Sequence, residues 1–183
     1  KQVKNRLTQF INQIALNTEN LPASIYRYKS NQLDQQILLK AVNYSNQDRT
    51  SIKDALENIS ELSLASLTQL LYFYKEDATN LKSILKSIRS QFYSNNKKYT
   101  LKDSGYSPWY LMPSNVKDHC ELMVSLLDLD SDSISKDDLY KHINGILENR
   151  NNKGEFGNTL ENSVCSQALF LFSQKYETSI QKV

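Results

Sequence analysis

Between Leu64 and Tyr74 the apolar residues Leu64, Ala65, Leu67, Leu70, Leu71, Tyr72, Phe73 and Tyr74 occupy almost every side of a helix. A helix that is apolar on several sides has to be covered on several sides. This segment therefore demands a multilayered helical body, and it constrains the fold more than any other stretch. A partner follows the break at Lys75-Glu76-Asp77. There Leu81, Ile84, Leu85, Ile88 and Phe92 recur with helical spacing, and the opposite face carries Lys and Ser, as on an outer helix with one wet side.

The alternation repeats. Val116, His119, Cys120, Met123, Leu126 and Leu127 form an inner-type stripe, and Leu139, Ile143, Ile146 and Leu147 form a one-sided outer helix. Leu160, Val164, Cys165, Ala168, Leu169, Leu171 and Phe172 are again apolar nearly all round. Upstream, helical spacing marks Val3 to Ile14, Ile37 to Val42 and Ile52 to Ile59. The pattern predicts an all-α fold of paired inner and outer helices, as in α-solenoids and α/α toroids. We expect a partial or incomplete ring, with residues 1–183 forming a single domain or a fragment of one. Inner helices begin near 64, 116 and 160, and this unequal spacing is unlike a strict short repeat.

Composition narrows the classes. Four Gly and three Pro among 183 residues are too few for a sandwich or barrel with many tight turns. Twenty-two Lys plus Arg against twenty Asp plus Glu leave a formal charge of +2, which argues against a nucleic-acid partner. No apolar run reaches the 18 or so residues of a membrane span, so we expect no membrane insertion by this chain. The sequence starts at Lys1 with no charged start followed by an apolar stretch. It therefore shows no signal peptide and reads as a cut-out or processed piece.

Local signals place the helix starts. Ser114 can cap a helix opening at Asn115, and Ser135 with Asp138 and Asn158 with Glu161 resemble capping boxes. Lys153-Gly154 marks the turn before the last helix. From Tyr99 to Leu111, Gly105 and Pro108 break helix, while Tyr99, Leu101, Tyr106, Trp109, Tyr110 and Leu111 are too apolar for a free loop. One or two short extended pieces packed across helix ends are expected there.

Reactive-looking residues have plainer readings. His119, Cys120 and Glu121 are adjacent, but neighbours on a helix point about 100° apart, and His119 and Cys120 lie on the apolar stripe. Packing is the better reading. A zinc site would need a third ligand, and the other histidine, His142, falls on the outer-type helix. Cys120 and Cys165 are too few for a disulfide framework and too far apart for a Cys-x-x-Cys pair; both are expected to be buried and unlinked. Asp128-Leu129-Asp130-Ser131-Asp132 imitates the start of a calcium loop. However, Ser133 and Leu139 stand where Gly and Glu are needed, so it reads as a solvated linker. The acids Asp137-Asp138 suit a helix start. Gly145, inside an outer helix, implies close approach of a neighbouring helix. We expect no catalytic, cofactor-binding or metal-binding residue, and no enzymatic activity of this chain.

Several features stand in an order that resembles the closing part of the thioester domain in bacterial alpha-2-macroglobulin-like proteins. Trp109-Tyr110 precedes Ser114-Asn115-Val116; a helix ends in Leu126-Leu127-Asp128-Leu129; another finishes Ile146-Leu147-Glu148-Asn149-Arg150. Last comes a turn from Gly154 to Asn162, reading Gly-x-aromatic-Gly-Asn-Thr-x-Glu-Asn, which enters a helix with Ala168-Leu169. Phe156 and Leu160 replace the family's usual Trp and Gln. The reactive Cys-x-Glu-Gln is absent, since Met123 and Ala168 stand three residues after the two cysteines.

The resemblance implies the C-terminal portion of an α/α-toroid thioester-like domain. Its function would be a non-catalytic structural share of a protease-trapping endopeptidase inhibitor in the periplasm or cell envelope. Its partners would be other domains of the same large protein and, through the whole protein, target proteases. The competing readings are an α/α-toroid enzyme of terpene-cyclase, prenyltransferase or polysaccharide-lyase type, and a helical-repeat interaction adaptor.

Overall fold

In a computed structural model, residues 56–57, 59–102, 114–129 and 132–177 are described. They form an all-α arrangement of packed helices with one small hairpin. The helices expected at Val3 to Ile14 and Ile37 to Val42 lie outside these residues, as do Tyr106, Trp109 and Tyr110. Residues up to Ser87 and residues from Ile88 belong to two compact units, which are taken in turn.

In the first unit a 3-10 turn, Ile59–Glu61, leads into α1, Leu64–Tyr74. Ser63 caps α1 by accepting the Ser66 amide, filling one of the donors that a helix start leaves open. Leu64, Leu67, Leu70 and Leu71 are buried, and so are Ser66 and Thr68, the latter donating its hydroxyl to the Leu64 carbonyl at 2.8 Å. Burial thus extends round the helix as its composition requires, but it stops at Tyr72, which is 60% exposed.

Asp77 starts α2, Ala78–Ser90. Its carboxylate accepts the amides of Thr79 and Asn80 and the Asn80 side-chain amide. These bonds, those of Asn80 foremost, hold its pKa below the usual carboxylate range. Leu81, Ile84 and Leu85 face inward, and Ser87 donates to the Ile59 carbonyl at 3.1 Å.

The second unit takes over near the end of α2. Phe92 belongs to a strand and not to the helix that its spacing suggested. Strands β1, Phe92–Ser94, and β2, Tyr99–Leu101, pair antiparallel with Phe92 opposite Leu101 and Ser94 opposite Tyr99. The turn between them is closed by Asn95, whose side-chain oxygen accepts the Lys97 and Lys98 amides. Two β-forming aromatics, Phe92 and Tyr99, thereby reach the same core.

Three helices complete this unit: α3, Asn115–Leu127; α4, Lys136–Leu147; and α5, Thr159–Tyr176. The expected caps are present. Ser114, Ser135 and Asn158 accept the amides of Lys117, Asp138 and Glu161. Helix α3 packs most extensively on α5 and also on α4, while α4 meets β2. Leu122, Met123, Leu126, Leu139, Ile146 and Phe172 form the centre of the core.

Helix α5 departs from its expected all-round burial. Cys165, Ala168 and Phe172 face inward, but Leu160 and Phe170 are 47% and 58% exposed. It contacts α3 along one face, and apolar composition alone does not decide which faces find a partner.

Candidate functional site: the paired histidines and the turn before α5

Both histidines lie in one buried cluster. His119 is on the inward stripe of α3. His142 lies on α4, the expected outer-type helix, and shares its buried face with Leu139, Ile143 and Ile146. The offsets of three, four and seven from Leu139 fit a single stripe, to which His142 belongs along with its apolar neighbours. Each histidine is 3% exposed, and His119 Nε2 lies 2.9 Å from His142 Nδ1. One ring donates and the other accepts.

The hairpin roofs this pair. Phe92 lies 4.8 Å from the His119 ring and 5.1 Å from His142, and Tyr99 lies 4.6 Å from His142, centroid to centroid. Burial, reinforced by the neighbouring imidazole, pushes His119 well below the usual histidine pKa. Burial also lowers His142, to about 4, despite the opposing pull of Asp138. Both rings are therefore neutral near pH 7.

Asp138 anchors the roof as well as the start of α4. It accepts the Tyr99 hydroxyl at 2.6 Å, the Ser135 hydroxyl at 2.8 Å and the Arg89 guanidinium at 2.9 Å. Burial raises its pKa, but these three donors outweigh burial and leave it lowered. Tyr99 is correspondingly raised, by burial first and by Asp138 second. The pair Asp137-Asp138 thus does more than cap: Asp137 bonds Lys141 along the helix, and Asp138 holds the hairpin.

Gly145 makes the close approach of strand and helix possible. A Cβ there would lie 1.9 Å from the Tyr99 carbonyl oxygen and 3.3 Å from His119. Close approach was expected, but the neighbour is the hairpin strand and not a helix. Asn144 donates to the Lys97 carbonyl, and Lys98 pairs with Glu148, so the end of α4 grips the hairpin at its turn.

Beside this cluster, Cys120 and Cys165 form a disulfide between α3 and α5 with Cα atoms 4.9 Å apart. Both are fully buried, as expected, but they are linked, and the expectation of free thiols is corrected. Spacing in sequence excludes only a local Cys-x-x-Cys pair. Two cysteines 45 residues apart meet through the crossing of two helices, which spacing does not report. Their Cα separation falls in the range a disulfide spans.

The turn before α5 is a second organised cluster. Gly154 has φ +81°, a left-handed conformation natural to Gly, and Arg150 Nε donates to its carbonyl at 2.6 Å while stacking over Phe156. Asn162 fastens the turn: its Oδ1 accepts the Phe156 amide, and its Nδ2 donates to the carbonyls of Phe156 and Asn158. Glu161 is buried and accepts the Ser114 hydroxyl at 2.5 Å, so the caps of α3 and α5 are joined. Gly157 leaves room for that carboxylate, since a Cβ would lie 2.8 Å from Glu161 Oε2.

The calcium-like run serves other ends. Asp128 ends α3, and Leu129 and Ile134 are buried; Asp130 and Ser131 lie outside the described residues. Among the described residues no group of three or more His, Cys, Asp or Glu could hold a metal ion, and no described helix is long and apolar enough to cross a membrane.

In the unit from Ile88 onward, packed helices and a β-hairpin are tied by a buried disulfide and a buried histidine pair. No family model, curated protein or solved structure matches the chain.

Proposed function

We propose that this chain is a non-catalytic structural portion of a bacterial alpha-2-macroglobulin-like protease-trapping inhibitor, built on the plan of an α/α toroid. The observation that carries the reading is the turn from Arg150 to Asn162. Six of the residues that carry the resemblance, Arg150, Gly154, Phe156, Asn158, Glu161 and Asn162, are bonded or stacked within one turn. A motif that builds a specific joint between helices is a stronger basis for resemblance than scattered identities. The Cys120–Cys165 disulfide adds support, because such bonds persist in oxidising compartments such as the periplasm.

On this reading the chain frames surfaces against which other domains of a larger protein pack. The Cys-x-Glu-Gln of a thioester, if the whole protein has one, belongs to residues outside this sequence. The test is to incubate the full-length protein with a panel of endopeptidases. Trapping predicts that cleavage of a large protein substrate is suppressed while cleavage of a small peptide substrate persists. Unchanged cleavage of both substrates across the panel would contradict it.

A further inference from the structure

The His119–His142 contact lies beneath the hairpin, and its hydrogen bond depends on protonation state. A neutral pair has one N–H and one lone pair between the facing nitrogens. A first proton added to the donor ring's outer nitrogen leaves that bond intact. A second cation puts N–H on both facing atoms, 2.9 Å apart in a site with 3% exposure, and burying two unpaired charges together is strongly unfavourable.

We propose that the His119–His142 pair is an acid-sensitive latch, which holds hairpin Phe92–Leu101 on α3 and α4 at neutral pH and releases it in acid. Release of the hairpin, and not unfolding of the whole unit, is the low-cost response. The hairpin is short, with Phe92 and Tyr99 as its buried aromatics. The helices behind it are joined by the Cys120–Cys165 bond and the Ser114–Glu161 contact.

The surrounding charges set the direction. Arg89 at the end of α2 opposes protonation of His142, and Asp138 on α4 favours it. Tyr99 on β2 stays neutral, held by Asp138, while Lys141 is paired with Asp137. On α3, Asp118 is paired with Lys117, and Cys120 is taken up by the disulfide to Cys165 of α5; Glu161 of α5 is occupied by Ser114. Among the described residues, Asp138 is the carboxylate that favours the charged form of His142, and it bonds Tyr99, Ser135 and Arg89 instead of either ring.

Once exposed, each imidazole regains an ordinary pKa of about 6.5, so near pH 4.5 each favours the open hairpin by about 100-fold. With both rings exposed, the opening equilibrium rises by about 10³-fold or more between pH 7.5 and 4.5. The full chain is examined by NMR across that range. The latch predicts that nuclear Overhauser contacts Phe92–His119 and Tyr99–His142 disappear reversibly in acid, while Tyr140–Phe172, between α4 and α5, persists. Persistence of all three contacts, or their joint loss, would overturn the proposal. The double variant His119→Gln/His142→Gln, if folded, should keep its hairpin closed at pH 4.5, and opening like the wild type would also overturn it. If that variant fails to fold, the wild-type titration decides alone.

Discussion

Replacing Cys120 and Cys165 together by Ala removes the covalent tie between α3 and α5 without changing the charge. The bond closes a loop with a sequence separation of 45. In the chain-entropy treatment, a loop of that size restricts the unfolded chain by about 13 cal/mol/K, or about 4 kcal/mol at 25 °C. Both sulfurs sit in a fully buried site, so the cavity left by the smaller side chains adds to the loss. Urea denaturation of wild type and double variant, compared at equal slope, should therefore show a loss of about 4 kcal/mol or more. Reducing the wild type with a thiol after unfolding should reproduce the entropic part. A loss below about 1 kcal/mol would contradict this origin of the stability, because it would mean that the bond constrains a chain already held together in its unfolded state.

Three further outcomes follow from the site. Gly145→Ala gains about 1 kcal/mol of helix propensity, but its methyl would meet the Tyr99 carbonyl. A net loss of about 2 kcal/mol is expected from overpacking, with the Tyr99–His142 contact weakened in NMR spectra. Asn162→Ala leaves the Phe156 backbone without its clamp and should cost about 1–3 kcal/mol, seen as a lower urea midpoint and faster proteolysis near Gly154. For pH, both folded histidines lie below their unfolded value of about 6.5. Their contribution is therefore full above that pH and is lost as pH falls towards about 4, where His142 titrates. Two such groups give a slope of up to about 2.7 kcal/mol per pH unit. Asp138, lowered in the fold, adds a further loss below about pH 4. Urea midpoints measured from pH 7.5 to 4 should fall accordingly, and a flat profile would contradict the buried neutral pair.

Legibility in the sequence tracked the range of the interaction. Helix starts at Ser114, Ser135 and Asn158 were readable because capping is settled within four residues. The inward faces of α2 and α3 and most of that of α4 follow from periodicity for the same reason, although Leu147, counted into the stripe of α4, is exposed. The hairpin was half visible: Tyr99–Leu101 was expected to be extended, but Phe92 continues the stripe of α2 so well that its strand was hidden. What periodicity cannot carry is which stripes meet. His119 and His142 are 23 residues apart and Cys120 and Cys165 are 45 apart, and both pairings depend on the helix crossings around α3. His142 could have been found by counting it into the stripe Leu139, Ile143 and Ile146. Gly145 signalled close contact through its cost in a helix, though not the identity of the neighbour. Leu160 and Phe170 show the converse, since apolar residues on α5 did not ensure burial.

The Cys120–Cys165 bond joins α3 to α5, and bonds of this kind persist in oxidising compartments. Its sharpest test is to isolate the protein from its native cells with free thiols blocked at lysis and to map the digested chain by mass spectrometry. A crosslinked peptide joining Cys120 to Cys165 is expected, with no blocking group on either residue. Two separately blocked cysteines in the natively folded protein would contradict it.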